Sequence, residues 1–554
     1  MIFLIFIINI SLASIPFKYM LLSESDRSGD ALPSNQILDI EVLNNDIYLS
    51  TGDGLGKSSS LQSLYSFNHI LSDEMVEGGN PSLAISDNVI AVSGSRAVLE
   101  LGAIMPSGTG VSYSVDLGDT WNYMPQPIDD MPALWSCSNK DGLIYSSKVE
   151  CEQNCQTCPN SSGLTESASC GNLYEYISWG GQDNIIHLSV TTEINNLAYD
   201  LEIYGDYIYA ANWAGGLRRF NYSSDNPSWE VVPLPMDDQD ELLCGSIEVN
   251  SYQLNPVGNC YYENFNHRPF SVKVIDGSIW VGTAGGINKG SFDGDCIDWE
   301  HFRYLDKGFY DDWIIGFENQ ELSDGSSRIW ALTWDKSTEG EVGPPSFSDD
   351  GGLTWQYSNQ IYYLGATAYN ISFNGDLIYL STDQGLFISQ DGIFWENFNS
   401  FVDYETGERL LSEIVYDTKF INNNLWVATN DGVAISSDSE SPDDWLVYRF
   451  WNDVNQFSAY PNPFLINDYN VVNGQGHMRF VSKSTNANAV IDIFDFSMDK
   501  VVTLNSPLET SNQIEFIWNG KSEYGGNVQN GVYFCRLNDN GEYSWVKVAV
   551  LSEP

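Results

Sequence analysis

The sequence predicts an all-β chain: a seven-bladed β-propeller, with eight blades as the alternative, followed by a small Ig-like β-sandwich. Three observations carry this prediction. A strand–turn–strand pattern recurs along residues 15–455. Three polar hairpin turns each close on a tryptophan. A different strand pattern, with its own turn signals, takes over after Trp451.

At 554 residues the chain is too long for one ordinary domain unless it is built from repeats. Its 42% hydrophobic and 13% aromatic content suits packed cores and excludes wholesale disorder. The 24 Lys+Arg against 75 Asp+Glu give a formal charge of -51. Nucleic acid is excluded as a partner, because binding phosphates needs a positive footprint. The same charge keeps an exported protein soluble.

Residues 1–14 read as a secretory signal peptide: Ile2-Phe3-Leu4-Ile5-Phe6-Ile7-Ile8, then small residues up to Ala13 and Ser14. A spanning helix needs about 20 apolar residues, and Asn9, Pro16 and Lys18 interrupt the run. No later segment qualifies, so the sequence predicts export without a transmembrane segment.

The repeat follows. Asn45-Asp46-Ile47-Tyr48-Leu49-Ser50-Thr51 recurs as Gly205–Ala211, Asp276–Thr283, Ser327–Thr333, Gly375–Thr382 and Asn424–Thr429, with weaker copies at Asn88–Val92 and Asp141–Tyr145. Short β-branched and aromatic strands, tight Gly turns and a period of roughly 50 residues are the sequence form of a propeller blade. Trp213, Trp280, Trp330 and Trp426 fall at similar points and are expected to pack between blades; Trp179 and Trp334 lie beyond strand ends and are expected to pack in a core or at an edge, with stacking on a sugar as the alternative. Gly52-Asp53-Gly54-Leu55-Gly56-Lys57-Ser58 has the wrong spacing for a phosphate loop and reads as a blade turn.

The tryptophan turns carry a resemblance. Ser114, Asp116, Gly118, Thr120 and Trp121 match S-x-D-x-G-x-T-W, as do Ser348, Asp350, Gly352, Thr354 and Trp355; Ser389, Asp391 and Trp395 form a shortened copy. The chain resembles the Asp-box (BNR repeat) propellers of the sialidase kind. Short Asp and Ser side chains bond their own turn backbone, and Gly supplies positive φ. The motif is structural. Among such propellers are glycoside hydrolases, which is the alternative function. No arginine cluster of the sialidase kind is present, so a hydrolase would rest on a pair of acidic loop residues. Asp238, Asp240, Asp311 and Asp312 are the candidates, with Asp237 and Glu241 beside them.

Nine cysteines suit an oxidising compartment. Cys137, Cys151, Cys155, Cys158 and Cys170 form a disulfide-stapled insertion at 137–170. Cys244 and Cys260 flank a loop and are expected to pair, while Cys535 is the expected buried thiol. No cofactor is expected. Asp293, Asp295 and Asp298 read as an ordinary polar turn, with structural calcium as the alternative there.

Over 456–554 the strands Ala489–Phe496, Val532–Leu537 and Trp545–Val550 alternate with Gly/Asn turns, the pattern of a β-sandwich. Tyr460-Pro461-Asn462-Pro463-Phe464, Trp518-Asn519-Gly520-Lys521 and Asn530–Leu537 resemble the C-terminal sorting domain of type IX secretion cargo and the flagellar hook-capping Ig-like domain. That resemblance implies a Bacteroidetes-like source, the secretion machinery as a partner, and release or attachment at the cell surface. The final Leu551-Ser552-Glu553-Pro554 departs from the basic ending of that family. The function expected overall is an exported, non-catalytic propeller that binds a polysaccharide or protein.

Overall fold

A computed structural model describes residues 32–554 apart from 60–64, 101–102, 130–133, 138–143, 156–169, 250–251, 257–263, 336–342, 405, 450–456, 461, 463, 467–470, 473–474, 477, 483, 510–513 and 553–554. The signal segment, Cys158 and Cys260 therefore lie outside the described residues, as does the side chain of Cys137. Among the described residues the regular structure is nearly all β-strand. Its α-helices among the described residues are Lys148–Asn154, Tyr304–Lys307 and Asn359–Leu364, and no helix is long and apolar enough to cross a membrane.

Seven sheets repeat one plan. Each contains four strands joined in sequence order, as in Ile37–Leu43, Asp46–Thr51, Gly54–Ser59 and Asn68–His69. The others span 83–124, 198–231, 269–302, 313–357, 368–398 and 415–448. The second strands Asp46–Thr51, Tyr207–Asn212, Ser278–Thr283, Leu377–Thr382 and Asn424–Thr429 are buried at every position after the first. Burial on both faces requires a near-continuous apolar run rather than strict alternation, which is why the repeat reads as it does. A shared turn follows: Thr51, Thr283, Thr382 and Thr429 each donate a side-chain hydrogen bond to the carbonyl of a glycine three residues on. The phosphate-loop-like Gly52–Ser58 is one of these turns, strand to strand.

The chain divides into two compact units: Ser72–Ile378 with Ser389–Trp395, and the described parts of Tyr19–Leu71, Tyr379–Ile388 and Glu396–Pro554. In the first unit, neighbouring sheets meet through their first strands. Asp200 in Ala198–Tyr204 accepts from Ser82 Oγ at 3.2 Å and from the Val272 amide at 2.9 Å. Ser271 Oγ donates to the Ile314 carbonyl. These residues sit just after a β-bulge, at Ala198/Asp200, Pro269/Ser271 and Ile314/Gly316, which turns a short polar side chain toward the next strand.

The 83–124 sheet thus bonds directly to the 198–231 sheet, although an eighth sheet lies between them in sequence. That sheet has strands Leu134–Cys137, Ile144–Tyr145, Cys170–Trp179 and Gln182–Leu188, with Gln253–Leu254 parallel at its edge. Of the Asp141–Tyr145 repeat copy, Ile144 and Tyr145 belong to this sheet, and the rest lies outside the described residues. Within the described part of the cysteine-rich 137–170 segment, helix Lys148–Asn154 buries Cys151, which bonds to Cys170. Cys155 is also disulfide-bonded. Trp179 and Ile185 share a core with Tyr209, Leu217, Val272 and Trp299 of the 198–231 and 269–302 sheets.

In the second unit, the 37–69 and 415–448 sheets pack face to face around Ile40, Leu49, Trp426 and Ile435. After them come two further sheets. One is Ser458–Tyr460, Met478–Ser482, Ile514–Trp518 and Leu508–Glu509; the other is Phe464–Ile466, Glu542–Ser552, Gly531–Asp539, Val490–Phe494 and Lys500–Leu504. They enclose one core that includes Phe464, Phe480, Ile491, Phe516, Trp518 and the free thiol Cys535. Burial pushes that thiol well above its usual range.

Candidate functional site

The tryptophan turns join the third and fourth strands of their sheets. Ser114 Oγ donates to Asp116 and accepts from the Gly118 amide, both at 2.8 Å, and Asp116 takes the Thr120 amide and hydroxyl at 2.8 and 2.6 Å. Ser348, Asp350, Gly352 and Thr354 repeat these four bonds at the same distances. The Thr354 hydroxyl and amide hold the Asp350 carboxyl down at about 2. In the shortened turn, Asp391 accepts from the Ile393 and Phe394 amides. A fourth turn escaped the sequence reading: Ser436 and Ser437 bond Asp444, and Asp438 accepts from Glu440 and Ser441, ahead of buried Trp445. Its signal is S-x-D followed by D-W with a longer loop.

These carboxylates are engaged in building turns. The candidate acids are likewise spread across separate tasks. Asp237 accepts from the Phe265 and Asn266 amides, and burial pushes its carboxyl up. Asp238 is exposed, and Asp240, with its side chain 85% exposed, pairs with Arg303 at 3.2 Å. Asp311 accepts from the Asp312 amide, and buried Asp312 accepts from the Tyr304 amide that opens helix Tyr304–Lys307.

The calcium candidates lie along one hairpin. Asp293 and Asp295 flank Gly294 in the hairpin between Gly286–Asp293 and Cys296–Phe302, while Asp298 lies in the strand beyond and accepts from the Cys244 amide at 2.6 Å. Among the described residues they do not form a metal-sized group. Cys244 bonds to Cys296, a partner the sequence reading did not choose, and so is not paired with Cys260. Among the tryptophans, Trp334 is buried and donates to the Ala368 carbonyl, which removes it as a sugar platform. Trp280 and Trp330 pack between sheets, and Trp213, just past its strand, does so too by stacking on Phe270 of the neighbouring sheet. Tyr209 holds the position equivalent to Trp280.

One cavity of about 710 Å³ gathers several of these residues with others that the sequence did not flag. It lies in the first unit, against the inserted sheet, and its lining includes Trp179, Trp229, Glu175, Glu230, Asp293 and Asp295, with the Cys244–Cys296 pair. The hairpin turn Gly180-Gly181 packs on that disulfide; a Cβ at Gly180 would stand 2.7 Å from Cys296 Sγ. Two arginines from strand Gly216–Asn221 stiffen the walls. Arg218 makes a bidentate pair with Asp129 at 2.7 and 2.8 Å, and Asp129 also accepts from the Val190 amide. The Arg218 guanidinium lowers the Asp129 carboxyl against the opposing effect of burial. Arg219 lies over the Trp179 and Tyr207 rings, at 4.6 and 4.2 Å, and donates to Glu230 and the Asp295 carbonyl.

Behind this wall, His187 faces Glu175 at 3.3 Å and Asp129 at 3.9 Å. Burial lowers the His187 pKa, which favours the neutral ring. Asp129, Glu175 and His187 are close enough to share a metal, yet both Asp129 oxygens already accept from Arg218, so the donor set fits an internal ion pair better. None of Asp129, Glu175, His187, Arg218 or Arg219 stood out in sequence. The pair Arg218-Arg219 in an arginine-poor chain was the available signal.

No family model matches the chain, and no curated protein does. Solved structures similar to it include YCF48 from Cyanidioschyzon merolae, with 12% identity over 76% of this chain and 98% of that one at a TM-score of 0.38. The Myceliophteria thermophila Cps50 (Swd1) β-propeller domain gives 10% identity, 73% and 95% coverage, and a TM-score of 0.38. PorZ, a surface component of the type IX secretion system of Porphyromonas gingivalis, gives 14%, 93% and 86%, with a TM-score of 0.20. At such scores the likeness carries no argument about this chain's chemistry.

Proposed function

We propose that this chain is an exported, non-catalytic binding protein. In this reading residues 15–455 form a seven-bladed Asp-box propeller, the inserted sheet is an addition to it, and the cavity beside that sheet receives a polysaccharide or protein ligand. Residues 456–554 form an Ig-like domain that routes the chain through type IX secretion to the cell surface or beyond.

The observation that carries the binding reading is the cavity. Its size falls in the range of ligand pockets, its walls combine Trp179 and Trp229 with polar groups, and the arginines holding those walls are already fixed by Asp129 and Glu230. Seven blades are favoured because the inserted sheet is bypassed by the Ser82–Asp200 contact. The test is a binding screen of the purified chain against oligosaccharides and peptides, with Trp229→Ala alongside. Loss of the selected ligand in the variant supports the reading; binding unchanged by it rejects the cavity as the site. For the tail, a chain ending before 456 should fail to reach the surface, and normal display would refute the routing role.

A further inference from the structure

We infer that the cavity takes a cationic group, the lysine or arginine side chain of a basic peptide segment; this rests on reading the cavity as the ligand site. The argument is charge and shape together. Five carboxylates line the cavity: Asp129, Glu175, Glu230, Asp293 and Asp295. Its two cations are both spent inside the protein. Arg218 is matched by Asp129 and Arg219 by Glu230, at 2.7 and 3.0 Å. Glu175, Asp293 and Asp295 remain without a matching cation in the wall, and His187 behind Glu175 is held toward its neutral form by burial.

The aromatic surfaces suit the same guest. Arg219 already sits on Trp179 and Tyr207, so the wall holds one guanidinium by its ring faces. Trp229 offers a further face: its indole nitrogen is tied to the Pro125 carbonyl at 2.7 Å and Phe220 meets it edge-on, which fixes the ring. A long aliphatic stem lying on such rings, with its charged head among carboxylates, is how Lys and Arg bind. A bare metal ion is a poorer fit, because a small cation needs convergent oxygens and the Asp129 pair is closed by Arg218. The cavity, at about 710 Å³, is also far larger than an ion requires. The formal charge of -51 further draws a basic segment toward the protein at low salt.

The experiment titrates the full chain with acetyl-Gly-Arg-Gly-Lys-Gly-amide, its Gln-for-Arg/Lys analogue, and a neutral oligosaccharide, followed by calorimetry and tryptophan fluorescence. Asp293→Asn with Asp295→Asn is the main variant, since both side chains are exposed on a hairpin turn and the fold does not need them. Glu175→Gln is the second. Asp119→Asn, on an exposed turn elsewhere, controls for diffuse acidity. The basic peptide should bind and the Gln analogue should not. The double variant should weaken binding by about tenfold or more, and Asp119→Asn should leave it unchanged. Equal weakening by Asp119→Asn, or no peptide binding, overturns the inference. If the peptide fails while the oligosaccharide binds in a Trp229-dependent way, the cavity survives as a site and only the cationic guest is lost. If nothing binds in a Trp229-dependent way, both fall.

Discussion

Gly352 faces the edge of Trp280 from the preceding sheet: a Cβ built at Gly352 would stand 2.5 Å from Trp280 Cη2. Gly392 meets Trp330 at the same 2.5 Å. The glycine of the tryptophan turn therefore has two duties. It takes the positive φ of 91° at Gly352 and 77° at Gly392, and it leaves room for a tryptophan belonging to the preceding sheet. Two motifs that look unrelated in sequence, the repeat strand and the turn, are the two halves of one joint.

Substitution at this joint should be costly. Gly352→Ala is expected to lose about 2–4 kcal/mol, from backbone strain plus overpacking. Gly351→Ala, at φ 71° with nothing within 4 Å, should lose only the strain, about 1 kcal/mol. Urea unfolding of both variants checks this, and equal losses would remove Trp280 from the explanation.

A second joint lies within the other unit. Glu515 accepts from Arg449 at 2.9 Å and from Arg479, and Arg479 also bonds Asp431. All four side chains are at most 4% exposed. Glu515 and Arg479 come from neighbouring strands, Ile514–Trp518 and Met478–Ser482, of one of the two C-terminal sheets, while Asp431 lies in the turn before strand Gly432–Ser436. Glu515→Ala should cost about 3–5 kcal/mol, because it leaves two buried guanidinium groups poorly compensated. A loss below about 1 kcal/mol in calorimetry would contradict that. The same ties mean that a chain cut before 456 loses partners for Asp431, so its folding must be checked before its export is interpreted.

Stability should also depend on Glu202. Burial raises its carboxyl to about 8, with Lys273 opposing and Asp200 and Glu318 adding to the rise. A raised acid contributes stability that is present below its ordinary value near 4.5 and is lost as pH climbs through about 8. Glu202→Gln should therefore flatten the decline between those pH values and gain stability at pH 9 relative to the parent. A parallel decline in both proteins would show that the slope comes from general charge repulsion instead.

Removing the Cys244–Cys296 bond, which spans 52 residues, should cost about 2–4 kcal/mol. Replacing both residues by Ala and comparing unfolding midpoints measures it. The variant should also lose any ligand of the cavity more readily than a Cys535→Ala control, since Gly180 rests on the disulfide.

Much of the strand pattern was legible because local chemistry writes it. A strand buried on both faces must be apolar throughout, and a turn such as Ser114–Trp121 must carry its own hydrogen-bonding side chains. The cavity was not legible, because its parts are distant in sequence: Asp129, Glu175, Arg218 and Asp295 meet only through packing. The acids of the 293–298 stretch show the same limit: Asp293 and Asp295 line the cavity together, whereas Asp298 accepts from the Cys244 amide. Cys244 chose Cys296 over the nearer Cys260 because the hairpin 286–302 brings that strand alongside.

The bond from the Ile40 amide to Asp417, at 2.9 Å, links residues 377 positions apart. A nascent chain emerges with its earliest strands hundreds of residues ahead of their neighbour, so that apolar edge must wait. High contact order of this kind folds slowly and exposes sticky intermediates. Productive folding is then a late event, completed only once the whole polypeptide has been made, and a holding factor that keeps the early strands from aggregating would raise the yield.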